Sequence, residues 1–319
     1  MRDVSGKLKR LHPWIATAAF ALAAFLVYRA LQQYSMSEIL ESLRAISLRH
    51  LALGAAFTAG SFICLTASDT LAVRYTGRDL PYRKIALASF TSLSIGHTLG
   101  FAALSSGAIR YRFYTGWGLS PGDVGRIILF CAMTVTVGLA TGGGLASLAQ
   151  PALVAEVFKI APAAATGIGG LLLLLVLIYL GLAAFVHRPI QIRHFQLPVP
   201  RLRLAIGQVA VGTTDVLLVS AVLHQMLSAT ADIGYFPVAA TYVAANVAAI
   251  ATHVPGGLGV IEAVILSLVP GANVVGALVA FRALYYLIPF VIGCAVFAIA
   301  EIMRRQRRVA ADPRPSRST

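Results

Sequence analysis

The chain has 319 residues, of which 58% are hydrophobic and only 12% are charged, and its mean hydropathy is +0.80. Soluble domains carry about 25% charged residues, so a chain this poor in charge could not cover a water-facing surface. The net charge of +14 lies between apolar runs and at the chain ends, which favours membrane topology over nucleic-acid binding as its explanation. We expect a polytopic, all-α membrane protein with no soluble domain large enough to hold an enzyme.

Apolar segments follow one another along the chain, and several exceed the ~20 residues that cross a bilayer core. The first follows Lys7, Lys9 and Arg10 and is longer than the core of a signal peptide, so we interpret it as a retained helix. The segments lie at about 13–31, 50–73, 85–104, 122–148, 164–187, 203–227, 236–253, 256–269 and 273–302.

Basic loops indicate the topology because Lys and Arg collect on the cytoplasmic side of a membrane. Loops 74–84 and 187–203 and the end of the chain are rich in Arg. All three lie on the cytoplasmic side if segments 85–115 and 236–270 are re-entrant hairpins. The sequence then predicts six full spans with both termini cytoplasmic. The alternative is eight simple spans with one exception to the charge rule.

The six-span solution divides one transmembrane domain, residues 1–319, into two similar parts. The first half, 1–150, and the second half, 151–303, each contain three spans and one hairpin. Because three is an odd number, the halves are inverted relative to each other, which is the plan of many secondary transporters. Residues 304–319 form a basic segment, which we predict to be a cytoplasmic tail that contacts anionic lipid headgroups.

The two predicted hairpins resemble each other in sequence. Residues 95–100 and 106–110 contain Ile-Gly-His-Thr-Leu-Gly and Ser-Gly-Ala-Ile-Arg, whereas residues 253–262 read His-Val-Pro-Gly-Gly-Leu-Gly-Val-Ile-Glu. Arg110 and Glu262 therefore occupy matching positions with opposite charges. We hypothesise that they pair with each other or divide a zwitterionic or cationic substrate between them.

The second hairpin also contains a helix break at Pro255, Gly256, Gly257 and Gly259. A break at membrane depth is tolerated where it is buried in protein or lines an aqueous cavity. The following helix would begin near Gly259, and its free N–H groups would favour an anion. The alternative is a simple kink or a close-packing site.

Charged side chains inside apolar segments are costly and are therefore candidates for function. Arg side chains bind phosphate oxygens in bidentate geometry, so Arg110 is a candidate for phosphate binding and Arg282 for phosphate binding or a counter-ion role. Arg112 either binds phosphate or extends toward the cytoplasmic face. Glu262 or an Asp would meet an ammonium group. The candidates for coupling or for structural pairing are Asp69, Asp215, His97 and His253.

Signatures of soluble enzymes are absent from the sequence. It contains no Gly-x-Ser-x-Gly, no phosphate-binding loop ending in Gly-Lys-Ser/Thr and no His-Glu-x-x-His. We therefore expect no enzymatic activity, no catalytic residue, no metal site and no cofactor.

Two stretches resemble the signatures of the lysylphosphatidylglycerol synthase/flippase transmembrane family. They are residues 106–120, from Ser-Gly-Ala-Ile-Arg-Tyr-Arg-Phe-Tyr to Gly-Leu-Ser, and residues 253–262. The likeness runs from about residue 10 to residue 305. The synthase domain of full-length members has no counterpart here, so the resemblance implies only the flippase half. Its motif positions carry over onto Arg110, Arg112, Pro255, Gly256, Gly257, Gly259 and Glu262.

The resemblance implies a phospholipid flippase of the bacterial inner membrane. Such a protein would move aminoacylated phosphatidylglycerol or a related phospholipid from the inner to the outer leaflet. One alternative is a secondary transporter of a small soluble anion or metabolite, and another is a non-transporting membrane subunit of a lipid synthase. The expected partners are membrane phospholipids and anionic headgroups, with a second copy of the chain or a lipid synthase as the protein partners considered, and no nucleic acid.

Overall fold

The computed structural model describes residues 36–99, 102–186, 190–192, 195–197, 199–252, 259–268 and 274–310. Nearly all of these residues are helical. The helices are α1 Met36–Ala45, α2 Leu48–Tyr75, α3 Tyr82–Leu99, α4 Ala102–Gly116, α5 Pro121–Ala149, α6 Pro151–Phe158, α7 Pro162–Phe185, α8 Leu202–Ser228, α9 Tyr235–Thr252, α10 Val260–Leu268, α11 Val274–Arg282 and α12 Ile288–Ala310. A π-helical segment, Ala283–Leu287, joins α11 to α12, and two short antiparallel strands, β1 Ile190–Ile192 and β2 Phe195–Leu197, connect α7 to α8.

Five helices in the described part of the chain are long and apolar enough to cross a membrane. They are Leu48–Tyr75, Pro121–Ala149, Pro162–Phe185, Leu202–Ser228 and Val274–Arg304. Each coincides with a predicted full span, within a few residues at either end. The prediction of an all-α membrane protein is thus confirmed. The sixth predicted span, 13–31, lies outside the described residues.

The two predicted hairpins correspond to pairs of helices that pack on each other. The first pair is α3 with α4, and the second is α9 with α10. All four helices are shorter than the five candidate spans, at 18, 15, 18 and 9 residues. In the described part of the chain, each pair follows one candidate span and precedes another.

The centre of the molecule is the antiparallel packing of α2 on α8. Moving forward along α2, Gly54 lies against Met226, Gly60 against Leu218, and Leu71 against Gly207. The contacts on α8 therefore run backward as those on α2 run forward. Ser61 and Asp215, each the fourteenth residue of its helix, meet by a hydrogen bond at the middle of this packing.

A second close approach brings α5 onto α8. A Cβ atom on Gly138 would lie 2.6 Å from the carbonyl oxygen of Gly212, and one on Gly212 would lie closer to the Thr134 carbonyl oxygen than van der Waals contact allows. Only glycine permits two helix backbones to come this close. The second face of α8 is thus fixed against α5 while its first face packs on α2.

Four local features differ from the predicted organisation. The region 149–163, treated as a loop, contains the helix α6, and the loop 187–203 contains the two strands. The last helix continues to Ala310, so the first seven residues of the predicted tail 304–319 are helical, and residues 311–319 lie outside the described part. The predicted span 273–302 is a single long helix in which the π-helical segment lies between α11 and α12.

Candidate functional site: intramembrane charges at the two helix pairs

Arg110, on the second helix of the first pair, is bound by Asp69 of α2. Its Nε donates to Oδ1 of Asp69 at 2.9 Å, and one terminal nitrogen donates to Oδ2 at 2.7 Å. Both carboxylate oxygens accept further hydrogen bonds, from the Ser89 hydroxyl at 2.6 Å and from the Tyr114 hydroxyl at 3.1 Å. This bidentate geometry is the strongest form of ion pair between side chains.

The Asp69–Arg110 pair is almost fully enclosed. The side chains retain 0% and 4% of their accessible surface, respectively. Tyr114, which donates to Asp69, belongs to a buried apolar cluster that also contains Phe113 of α4 and Ile127 of α5. Asp69 therefore forms a structural pair with an internal Arg, which is one of the two roles predicted for it. The hypothesis that Arg110 pairs with Glu262 is wrong. Two acceptor oxygens and four donors are matched, so the pair ties the first helix pair to α2.

Glu262, on the second helix of the second pair, is bound by Arg282 at the end of α11. The guanidinium Nε donates to Oε1 in a very short hydrogen bond, and a terminal nitrogen donates to Oε2 at 3.0 Å. The backbone N–H of Gly259 also donates to Oε2, at 2.9 Å. Gly259 has φ +80°, a conformation that L side chains rarely adopt, which allows the chain to turn into α10 with this N–H aimed at the carboxylate.

The Glu262–Arg282 pair is less enclosed than the first. The side chains keep 14% and 11% of their accessible surface. The guanidinium carbon lies 5.3 Å from the ring centroid of Tyr286, which is a cation–π distance. An aromatic face and one backbone N–H thus take the place of the two hydroxyl groups that enclose Asp69.

The segment that carries this Arg has a physical reason to be irregular. Pro289 lies two residues after the π-helical turn Ala283–Leu287. A proline inside a helix has no N–H and its ring clashes with the carbonyl one turn earlier, so the helix widens there. On this turn Tyr285 is buried, and the half-buried Tyr286 lies against the Arg282 guanidinium. Single π-helical turns are frequent at functional sites.

Asp215 lies at the midpoint of the 27-residue helix α8, about 20 Å along the helix axis from either end. The Ser61 hydroxyl donates to Oδ1 of Asp215 at 2.5 Å and lies 3.0 Å from the hydroxyl of Tyr285. The ring of His97 stacks beside that of Tyr285, with centroids 6.5 Å apart. His97 and Asp215, both predicted, thus approach the same tyrosine.

Arg112 does not lie with the other predicted phosphate ligands. Its guanidinium forms a 2.6 Å ion pair with Glu301 of α12, and its carbonyl oxygen accepts from Arg304 at 3.3 Å. The side chains of the pair keep 27% and 22% of their accessible surface. Arg112 therefore connects the end of the first helix pair to the last helix, and its role as a substrate ligand stays a prediction.

The remaining predicted residues lie at the break in the second pair. Gly259 is described above, whereas His253, Pro255, Gly256 and Gly257 lie outside the described residues. No cluster of three or more metal-ligating side chains occurs in the described part of the chain. Sequence reasoning missed the hydroxyl partners, namely Ser61, Ser89, Tyr114 and Tyr285. Their signal was a polar residue within an apolar run, which is common in membrane helices and therefore weak.

The helices and these charge pairs define a class of protein: a multi-pass α-helical membrane protein whose spans are tied together by ion pairs within the apolar interior. No family model matches the sequence. The chain is 31% identical over 309 residues to the uncharacterized protein slr0712 of Synechocystis sp., covering 95% of this chain and 96% of that one.

A second relative is the inner membrane protein YbhN of Escherichia coli, which is 26% identical over 254 residues, or 78% of this chain and 79% of that one. The chain belongs to the family of the Synechocystis protein, a family of membrane proteins. The similarity to YbhN and the five apolar helices identify a multi-pass protein of the inner membrane.

Proposed function

We propose that this protein is a phospholipid flippase-type transporter that moves aminoacylated phosphatidylglycerol, or a related phospholipid, from the inner to the outer leaflet. The observation that carries the proposal is the partly exposed Glu262–Arg282 pair between the second helix pair and the last span. An ionisable pair kept in an apolar interior without complete enclosure is costly, and in membrane proteins such groups mark substrate pathways.

The chemistry of the pair matches the headgroup of an aminoacylated phospholipid. Arg282 is a fork of N–H donors suited to two phosphate oxygens, and Glu262 suits the ammonium of an aminoacyl group. A zwitterionic headgroup would replace one ion pair by two, so the opening of Glu262–Arg282 leaves neither charge unpaired. The cation–π face of Tyr286 holds the guanidinium during this exchange.

An inverted repeat with two re-entrant hairpins is the architecture that we propose for this exchange. In both described halves a candidate span, a helix pair and a second candidate span follow one another, and the basic loops lie on one side only if the two helix pairs do not cross the membrane. Antiparallel packing of α2 on α8 supports the inversion, because Ser61 and Asp215 occupy the same position in their helices and contact each other. Helix breaks at matching positions of inverted halves form the substrate sites of many transporters.

The outer surface of the helices suits a substrate whose tails stay in the bilayer. Large apolar side chains are exposed along α7, including Leu171, Leu174, Leu177 and Phe185. A headgroup that reaches Arg282 sideways would leave its acyl chains among such residues. The resemblance of residues 106–120 and 253–262 to the lysylphosphatidylglycerol synthase/flippase family supports the same class of substrate.

The test is leaflet-resolved lipid movement in vesicles that contain only this chain. We expect lysylphosphatidylglycerol to cross faster than in empty vesicles, and Arg282→Gln to slow it by about 10- to 100-fold, since a hydrogen bond to a charged group contributes about 1.5–3 kcal/mol. Arg203→Gln, at an exposed position in the first turn of α8, is the matched control and should leave the rate unchanged.

Three results would overturn the proposal. Equal rates of lipid movement for Arg282→Gln and the wild type would show that Arg282 is not part of the lipid site. Movement of small soluble anions across the vesicle membrane, with no movement of lipid, would favour a transporter of small anions. A folded protein that moves no lipid until a separate synthase is added would favour an accessory membrane subunit.

A further inference from the structure

We infer that Asp215 is a proton-binding carboxyl group whose protonation drives the opening of the Glu262–Arg282 pair. The inference rests on the proposed function, because it supplies the coupling ion for the same lipid site. Among the predicted coupling candidates, Asp69 forms an ion pair with Arg110 and the His97 ring stacks on Tyr285, so the inference selects Asp215.

Asp215 differs from the other acidic side chains on the candidate spans. Four acidic residues occur on the five described spans, and three of them form ion pairs: Asp69 with Arg110, Asp123 with Arg78 and Arg126, and Glu301 with Arg112. Asp215 alone among these four has no Lys, Arg or His nitrogen within 4 Å in the described part of the chain. A carboxylate without a countercharge is costly at the middle of a membrane span. A bound proton removes that charge.

Within the described helices, the ionisable side chains that interact directly with Asp215 are weak acids. The ionisable side chains of the described helices that interact with it are Cys64 of α2, Tyr242 of α9, and Tyr285 and Tyr286 of the π-helical segment. His97 of α3 is the nearest base by connection, because its ring stacks on that of Tyr285. No fixed positive charge among these groups competes with a proton for the carboxylate.

The hydroxyl groups around Asp215 suit a proton better than a metal cation. Ser61 donates to Asp215, so the Tyr285 hydroxyl, 3.0 Å from Ser61, donates to the lone pair of Ser61 in turn. Two hydroxyls and one carboxylate supply fewer oxygens than the six to eight that a hard divalent cation takes. The same three groups form a hydrogen-bonded chain that ends on the carboxylate. Asp215 is half-buried, whereas Ser61 and Tyr285 are enclosed, so the proton reaches the chain at its Asp215 end.

The π-helical segment connects the proton site to the lipid site. Tyr285 lies three residues after Arg282, on the turn that Pro289 widens. When the carboxylate binds a proton it loses its charge and accepts more weakly from the Ser61 hydroxyl, which in turn accepts more weakly from the Tyr285 hydroxyl. The turn that holds Tyr285 is then free to shift, and Arg282 moves with it. Protonation at Asp215 thereby weakens the hold of Arg282 on Glu262 and favours binding of the headgroup.

Protonation of Asp215 is measured by the difference between infrared spectra of the full chain in lipid vesicles at alkaline and at acidic pH. We expect the carbonyl stretch of a carboxylic acid to appear on acidification. Asp215→Asn should remove this band, whereas Asp232→Asn, the same change in an exposed loop, should leave it. If Asp215→Asn does not fold, Ser61→Ala replaces it and should shift the band, because it removes the hydrogen bond to the carboxyl group.

The coupling is measured as the affinity for lysylphosphatidylglycerol at the same two pH values. Since linkage between two sites is reciprocal, acidification should tighten lipid binding by about 5- to 150-fold in the wild type. The change should disappear in Asp215→Asn and in Tyr285→Phe, although Tyr285→Phe should keep the infrared band. Retention of the band in Asp215→Asn, a pH-independent affinity, or a response to sodium instead of protons would overturn the inference.

The same experiments separate this inference from the proposed function. Lipid movement that does not respond to pH would overturn the proton coupling alone. A wild type that carries the Asp215 band but neither binds nor moves lipid would overturn the proposed function, and with it the coupling to lipid.

Discussion

The two helix pairs hold the same kind of ion pair in different surroundings. In the first half, Asp69 and Arg110 are enclosed and receive two further hydroxyl groups. In the second half, Glu262 and Arg282 are partly exposed and receive one backbone N–H and an aromatic face. The sign of the charge is also reversed, since the helix pair supplies the Arg in the first half and the carboxylate in the second.

The burial of the carboxylate and the number of hydrogen bonds it accepts, and not the presence of an ion pair, therefore distinguish a structural site from an exchangeable one. Breaking a fully enclosed pair leaves a charge with no alternative partner. A pair with access to its surroundings can exchange one partner for a ligand. On this basis we assign the first pair to the fold and the second to the lipid headgroup. Removing one partner from each of three ion pairs, in order of decreasing burial, tests this distinction.

The largest effect is expected for Asp69→Ala, which leaves Arg110 enclosed without its countercharge. Loss of one partner of a buried pair costs about 3–5 kcal/mol. The free energy of unfolding measured in mixed micelles should fall by this amount. Asp232→Ala, in an exposed loop, is the control and should change it by less than about 0.5 kcal/mol. A loss below about 1 kcal/mol for Asp69→Ala would show that the first pair is not structural.

A smaller loss of stability is expected for Glu262→Gln. The amide keeps the shape of the side chain and one acceptor oxygen, and Arg282 retains Tyr286 and some exposure. The free energy of unfolding in the same micelles should fall by about 1–3 kcal/mol, the range for a hydrogen bond to a charged group. If Glu262→Gln and Asp69→Ala proved equally destabilising, the distinction between the two pairs would be lost.

The smallest effect is expected for Arg112→Ala. The Arg112–Glu301 pair is the most exposed of the three, and exposed ion pairs contribute about 1 kcal/mol or less. Thermal unfolding should therefore change little, and lipid movement should keep its wild-type rate. A large loss of lipid movement with normal stability would show that Arg112 contributes to the substrate site, as the sequence predicts.

Much of the fold could be predicted from the sequence because the bilayer imposes one simple rule on each span. Long apolar runs gave α2, α5, α7, α8 and the last rod to within a few residues. The helix α6 and the π-helical turn could not be predicted in this way, because apolar periodicity does not distinguish a short helix from a loop, nor a π turn from an α turn. Pro289 was the available signal for the irregular turn.

The charged residues of the site could be identified from the sequence, but not their partners. Asp69, Arg110, Glu262 and Arg282 were recognised because charge is rare in apolar segments. Their pairing depends on how the helix pairs pack against the spans, over separations of 41 and 20 residues in sequence. The matching motif positions suggested that Arg110 pairs with Glu262. In the structure, Arg110 pairs with Asp69 of α2, and Glu262 pairs with Arg282 at the end of α11.

The most direct test of the exchangeable pair is the stabilisation of the purified chain by soluble, short-chain lysylphosphatidylglycerol. A ligand at 100 times its dissociation constant stabilises the folded state by about 2.7 kcal/mol. We predict this gain for the wild type and for Arg112→Ala, and its loss in the double variant Glu262→Gln, Arg282→Gln. An undiminished gain in the double variant, or an equal gain from inorganic phosphate with the wild type, would contradict a phospholipid headgroup site at Glu262 and Arg282.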